Sequence, residues 1–206
     1  PEARASFSTI GGNVQRFVPS FPGAKTNAPL LEKASGGLGV LNWFPEHDQI
    51  LRRVPMLVRI NDKLYPSLAA ETLRVASGGS TISIRSAAAG GANASKTETG
   101  ISGLRISNTY IPTDGDGQLW LSFSPSNPDR YISVIDILEG RVKRDQVEGR
   151  IILVGTSAPG LFDLRATPLN PVTAGVEVHA QALEQMLSKR FLVRPDYSKG
   201  MEIAFT

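Results

Sequence analysis

Gly149-Arg150-Ile151-Ile152-Leu153-Val154-Gly155-Thr156-Ser157-Ala158 is the stretch whose reading decides the fold. Its four consecutive aliphatic residues show no alternation, the pattern of a strand buried on both faces, and such strands sit centrally and run parallel to a neighbour. Small residues follow at once, at the carboxyl end of the strand, where open α/β sheets place ligands. The stretch predicts an α/β fold: a mixed β-sheet with a central, buried, parallel strand, antiparallel hairpins and flanking helices.

C-terminal to it, Val176, Ala180, Leu183 and Leu187 recur at i, i+4, i+7 and i+11 and predict a helix with one apolar face. On the N-terminal side, Ser133 and Asp136 have capping-box spacing for a short helix over Val134 to Leu138 that Gly140 ends, with a turn from Asp145 to Gly149. Leu104 to Ser107, Thr109 to Pro112 and Gln118 to Ser124 read as three antiparallel strands, with Asp114-Gly115-Asp116-Gly117 as a hairpin turn. Thr81 to Arg85 is strand-like, and the glycine-rich stretch Ala87 to Gly100 predicts a mobile surface loop.

Further back, Met56 to Ile60 and Leu64-Tyr65 flank Asn61-Asp62-Lys63 and predict a hairpin. A helix follows, opened by Pro66-Ser67, carrying the stripe Leu68, Thr72, Val75 and Ala76, and closed by Gly78-Gly79. Residues 1–50, broken by Pro19, Pro22, Pro29 and Pro45, read as loops and turns packed on the rest.

Composition narrows the classes. At 206 residues with 41% hydrophobic and 20% charged residues, the chain can bury a real core, which excludes collagen, coiled coil and intrinsic disorder. A net charge of +3 from scattered Lys and Arg is a weak field, and nucleic acid is not an expected partner. No cysteine is present, so disulfides, thiolate metal sites and thiol catalysis are excluded. No window approaches the roughly 18 apolar residues of a membrane span, and the N-terminus lacks both an initiator Met and a signal-peptide layout.

Few constellations carry chemistry. Gly155-Thr156-Ser157 begins like the serine motif of subtilisin-type proteases, but Pro159-Gly160 breaks the helix that motif needs and the only earlier histidine is His47. Asp114 to Gly117 opens like a calcium loop whose twelfth position, here Pro125, lacks the required carboxylate. Two histidines cannot build a three-histidine zinc site, and although His179 with Glu177, Asp163 or His47 could supply a mixed one, Glu177 and His179 are two apart on the predicted helix and point in different directions, so no metal and no cofactor is expected. One region looks specialised: acidic, hydroxyl, basic and imidazole groups at Thr156, Ser157, Asp163, Arg165, Thr167, Glu177 and His179 bracket the strand-to-helix crossover and form the candidate pocket for a small polar ligand. The competing structural reading is a salt-bridged, capped loop that fixes the crossover.

Three blocks in order carry a resemblance: Asp48-Gln49-Ile50-Leu51-Arg52-Arg53-Val54-Pro55; Tyr65-Pro66-Ser67-Leu68-Ala69-Ala70-Glu71; and Gly149 to Ala158, through Asp163 and Thr167-Pro168, to Gly175-Val176-Glu177-Val178-His179-Ala180. Together they resemble the second type of CHASE domain, the extracytoplasmic sensory modules attached to nucleotide cyclases, histidine kinases and Ser/Thr kinases. The resemblance covers roughly residues 35–195 and is most specific after Gly149. One departure is Gln49, where the family usually has Gly after the Asp. Another is that the family's amino-terminal half is not in these 206 residues.

The resemblance implies a sensor, not an enzyme: residues 1–195 as the C-terminal part of one CHASE-type domain, with 196–206 as a juxtamembrane connector and the start of a transmembrane helix. It implies an extracytoplasmic or periplasmic position in a bacterial membrane receptor, an environmental or small-molecule signal, and a cytoplasmic output domain in the same parent chain, a class III adenylate or guanylate cyclase first. Homodimer formation is expected. A structural module that pairs output domains without binding a ligand is the alternative, and a hydrolase lacks an assembled nucleophile, base and orienting acid.

Overall fold

The computed structural model describes residues 2–87, 100–156 and 163–193. Its centre is a four-stranded mixed sheet in the order β1 (Ser6–Ile10), β6 (Thr81–Ser86), β7 (Ile101–Ile106), β8 (Thr109–Pro112). β1 and β6 run parallel, with Ser6 opposite Thr81, while β6–β7 and β7–β8 are antiparallel. β6 presents Ile82 and Ile84 and β7 presents Ile101, Leu104 and Ile106 to one core, all essentially sealed from solvent. The α/β class with a parallel pair in a mixed sheet is therefore present.

Three smaller sheets hold the remaining strands among the described residues. β2 (Ser20–Phe21) runs parallel to β4 (Leu57–Ile60), which pairs antiparallel with β5 (Lys63–Pro66); β3 (Arg53–Pro55) pairs antiparallel with β9 (Gln118–Trp120); and β10 (Leu164–Arg165) pairs with β11 (Thr173–Ala174). The β4–β5 hairpin stands where the sequence predicts it. Asn61 and Asp62 both take positive φ, +47° and +64°, the pair of left-handed residues that a two-residue hairpin matched to strand twist requires.

Among the described residues there are five α-helices: α1 (Pro29–Ala34), α2 (Leu68–Ala76), α3 (Val134–Leu138), α4 (Arg144–Val147) and α5 (Gly175–Ser188), of which α2 and α5 pack on the strands. α2 starts at Ser67, whose hydroxyl accepts the Ala70 amide, and ends before Gly78 at φ +64°. It packs on α5 inside the same core.

The central strand differs from the expected one. Residues 151–154 form no strand, and Ile152 and Val154 are 53% and 84% exposed. An aliphatic run marks a preference for burial, but a two-faced strand needs backbone partners on both edges. β6 has β1 and β7 there; residues 151–154 have none among the described residues. The parallel partner, β1, lies in the region read as loops, and α1 and β2 lie there too.

Other elements moved more locally. β9 pairs with β3 in place of β8, so Asp114 to Gly117 is a turn between two sheets: the Asp114 carboxylate accepts the Asp116 and Gln118 amides, and Gly117 takes φ +73°. α4 replaces part of the turn expected at 145–149. α3 forms as expected but Ser133 makes no side-chain cap bond, and its Val134, Ile135, Ile137 and Leu138 are all exposed. The stripes of α2 and α5 are rotated: Ala69, Ala70 and Leu73 are buried where Val75 and Ala76 are exposed, and Val178, Ala182 and Met186 are buried where Leu187 is 53% exposed. The Ala87 to Gly100 loop and the connector 196–206 fall, Ala87 and Gly100 apart, outside the described residues.

Candidate functional site

The site is assembled around the first turn of α5. β10 and β11 form a short antiparallel ladder, Leu164 opposite Ala174 and Arg165 opposite Thr173, which delivers the chain to Gly175. The Gly175 amide donates to the Asp163 carbonyl at 2.7 Å, and the Asp163 carboxylate lies over the Gly175 α-carbon so closely that a β-carbon there would overlap it. A side chain there would have to displace the Asp163 carboxylate, which is held at the positive end of a 14-residue helix, where it is favoured. Gly155 is more tightly constrained, since a β-carbon on it would overlap the β-carbon and methyls of Val176. That contact returns the chain after Val154 to the same helix end and leaves Thr156 exposed beside it.

Thr167 is buried and fully used by its own turn. Its hydroxyl donates to the Asn170 carbonyl at 3.0 Å, accepts the Asn170 amide at 3.2 Å and meets the Thr173 hydroxyl at 3.2 Å. The Ala166 carbonyl accepts the Leu51 amide at 2.8 Å, so the Asp48–Pro55 block and the Thr167 turn are joined through backbone. In that block Arg52 bonds both carboxylate oxygens of Asp48 and one of Glu46, Arg53 pairs with Glu46 and Asp114, and the Arg53 guanidinium lies 4.8 Å from the Trp120 ring centroid. The Arg52 guanidinium holds the Asp48 carboxyl below its ordinary range, and the Arg52 pKa is raised in return. Arg165 donates to the Leu164 carbonyl at 2.8 Å.

Glu177 faces the opposite way, toward residues 126–131. Its carboxylate accepts from the Tyr131 hydroxyl, from Ser126 at 3.3 Å and from Gln181 at 3.2 Å. Burial, and then the bond to Glu177, raises the Tyr131 pKa. His179 faces inward. It is 3% exposed, its ring lies 4.1 Å centroid to centroid from Trp43, and neither ring nitrogen has a hydrogen-bond partner among the described residues. Desolvation alone lowers its pKa from 6.5 to about 4, so the ring is neutral.

The predicted residues thus divide. Asp163 lies against the helix start at Gly175, Thr156 is exposed next to Gly155, which packs on Val176, Arg165 and Thr167 stand in the adjoining hairpin, Glu177 points to the far side and His179 into the core; Ser157 lies outside the described residues. Two open hollows, one lined by Ser20, Phe21, Arg59 and Asp62 and the other by Glu2, Arg4, Glu32 and Leu38, share no residue with this set. Among the described residues no three His, Asp or Glu converge as metal ligands.

Sequence reasoning missed two glutamines. Gln181 accepts the Ser124 amide at 3.1 Å and donates to the Ser124 carbonyl at 3.1 Å; Gln185 accepts the Ser122 amide and donates to the Trp120 carbonyl, both at 2.8 Å. Four residues apart on one helix face, they bond an extended backbone as a partner strand would. Arg130 and Glu184 add a two-bond ion pair on the rim. The available signal was a polar i, i+4 pair inside an otherwise apolar helix face.

The comparisons cover almost the whole chain. A family model described as the CHASE2 domain matches residues 3–205, extending at both ends the span carried by the three motif blocks. No curated protein and no solved structure matches.

Proposed function

This chain belongs to the CHASE2 family of extracytoplasmic sensory domains, and from that premise we propose that it is the noncatalytic signal-sensing module of a membrane-bound receptor. The output domain in the same parent chain is a class III adenylate or guanylate cyclase. The signal is a small polar ligand taken by Thr156, Ser157, Asp163 and Arg165, with Thr167 holding the turn beside them and Glu177 and His179 acting from within α5.

The observation that carries this reading is the position of α5. One end of the helix holds the Asp163 corner, and its length is bonded to residues 120–131 through Gln181, Gln185, Glu177 and Glu184. A ligand that moves Asp163 therefore moves the helix and everything zipped to it, as coupling through a rigid two-state element requires.

Thermal-shift screening of the chain against small polar metabolites tests the reading. A ligand at about 100 times its Kd stabilises by about 2.7 kcal/mol, and Asp163→Ala removes the shift. Failure of every compound to shift the wild-type chain counts against ligand sensing.

A second reading has its own observation. Val134, Ile135, Ile137, Leu138, Ile151, Ile152 and Val154 are exposed aliphatic side chains, and no residue described between Ser122 and Ala166 is buried. Uncovered apolar surface of this kind favours association, so a homodimeric module that pairs output domains is the alternative. Sedimentation equilibrium decides it: a dimer at micromolar concentration that Ile152→Asp dissolves supports pairing, and a monomer opposes it.

A further inference from the structure

We propose that His179 and Trp43 form an acid-released latch between α5 and the loop over residues 41–45, so that protons act as a signal on this module.

A sealed imidazole with both nitrogens unpaired leaves two polar atoms unsatisfied, whereas phenylalanine fills the same volume with none. The neutral ring is tolerated because it packs on an indole face. The charged ring would have no compensation, since among the described residues no carboxylate reaches it.

The surrounding charges are already committed. On α2, Glu71 and Arg74 close on each other. β8 presents Tyr110, which bonds the Ser102 carbonyl, and β11 contributes only Thr173 and Ala174. On α5 itself, Glu177 is held by Tyr131, Ser126 and Gln181, and Glu184 by Arg130. In the Trp43 loop and just past it, Glu46 and Asp48 are paired with Arg52 and Arg53, and His47 is exposed. Asp163 lies over Gly175, four residues away along the helix. Desolvation is the only influence on His179, which agrees with this geometry.

A proton on the ring must therefore be relieved by water, and the cheapest route lies through Trp43. That residue is only partly buried, and from Leu41 to Pro45 no hydrogen bond ties the loop to the body among the described residues. The loop is fastened on either side: the Val40 amide donates to Pro66, and the Glu46 amide to Ile50. A short span with fixed ends and no polar anchors opens locally at lower cost than α5, which sits in the core. Protonation thus frees Trp43 and wets one flank of α5 while the sheets stay intact. The effect on output rests on the reading of α5 as the transmitting element.

The test uses Trp120→Phe, which leaves Trp43 as the sole tryptophan of the two in the chain. Lowering the pH below 6.5 toward about 4 is expected to quench and red-shift Trp43 emission while far-UV circular dichroism holds, and His179→Phe in the same background abolishes the transition. An identical emission change in His179→Phe overturns the latch, and so does a change that appears only with loss of the dichroism signal. If His179→Phe does not fold, the imidazole proton resonances of the unaltered histidine decide: ring protonation with Trp43 emission unmoved overturns the latch, and the two moving together supports it. Output of the parent protein at the same pH values separates the readings, since a latch that opens without changing output refutes transmission through α5 and leaves the latch standing.

Discussion

Arg52 grips Asp48 through two hydrogen bonds, Nη1 to Oδ1 at 3.0 Å and Nη2 to Oδ2 at 2.7 Å, across a four-residue loop that is not a helix. The same Oδ1 accepts the Ile50 amide at 3.0 Å, so the loop folds around one carboxylate and forces Gln49 between them to φ +63°.

That dihedral is one that glycine adopts without a steric penalty, and it yields the first prediction. A non-glycine residue in the left-handed region costs about 1–2 kcal/mol, against roughly 0.5–1 kcal/mol for the greater freedom of glycine in the unfolded chain. Gln49→Gly should stabilise the fold by several tenths to about 1 kcal/mol. Urea titration measures it, and a lower midpoint for the variant would show that Gln49 contributes a contact worth more than its strain.

A second prediction contrasts two neighbours on α5. Gln185→Ala strips the Ser122 amide and the Trp120 carbonyl of their partner and should cost about 1–3 kcal/mol. Leu187→Ala, on the exposed side, should change stability by less than about 0.5 kcal/mol. Equal losses from the two substitutions in thermal melts would refute the rotated helix face.

A third prediction concerns the pair beneath α2. Glu71 and Arg74 are both buried, bonded at 2.7 and 2.8 Å; Arg74 also donates to the Gly36 and Gly79 carbonyls, and Glu71 accepts the Leu38 amide. Arg74→Met leaves a buried carboxylate without its cation and should cost about 3–5 kcal/mol. Adding Glu71→Gln removes the stranded charge and should recover part of that loss. A double variant no more stable than Arg74→Met alone would mean the backbone bonds of Arg74, and not the charge pairing, hold the Gly36 to Leu38 loop.

The fourth prediction is a pH dependence. Burial favours the neutral form of His179, so its folded-state pKa of about 4 lies below the 6.5 of an exposed histidine. Its contribution to stability is complete above pH 6.5, declines as the pH falls through that value and is fully lost near 4. The loss amounts to about 3 kcal/mol for a site that stays closed, and less once the ring reaches water. The difference between wild type and His179→Phe in denaturation series at several pH values isolates this component from the carboxylates. A difference constant across the range would sink it.

Where the sequence was legible, the signal was local chemistry. Asn61-Asp62 demanded a tight hairpin, and Ser67 with Gly78 bracketed α2, because turns and caps depend on a few residues whose backbone preferences are strong. The position of α5 was visible from its apolar recurrence, but the buried face was not. Gln181 and Gln185 look like surface residues until an extended backbone is laid beside them, and Leu187 looks like core until Met186 is seen to occupy it. The run at 151–154 misled for a related reason: aliphatic content is a property of the residues, whereas strand pairing belongs to the neighbours.

The candidate site was legible in part for the same reason. Asp163 could be placed near the strand-to-helix crossover because Asp163 to Pro168 precedes Gly175 to His179 in the chain, and its carboxylate does lie against the Gly175 α-carbon. The inward turn of His179 depends on Trp43, some 136 positions earlier in the chain, and no spacing rule connects residues so far apart.

The parallel pairing of β1 with β6 sets the order in which the molecule can be built. Ser6 lies opposite Thr81, and the Ser8 and Ser83 hydroxyls bond at 2.8 Å, so β1 is synthesised well before its partner, some 75 residues behind it. At about 5–20 residues per second that gap lasts several seconds. Contacts of such long separation form late and slowly. The β4–β5 hairpin and α2 can assemble during that interval from neighbouring residues alone. β1 is therefore joined to its sheet across the longest sequence separation of the three pairings in it.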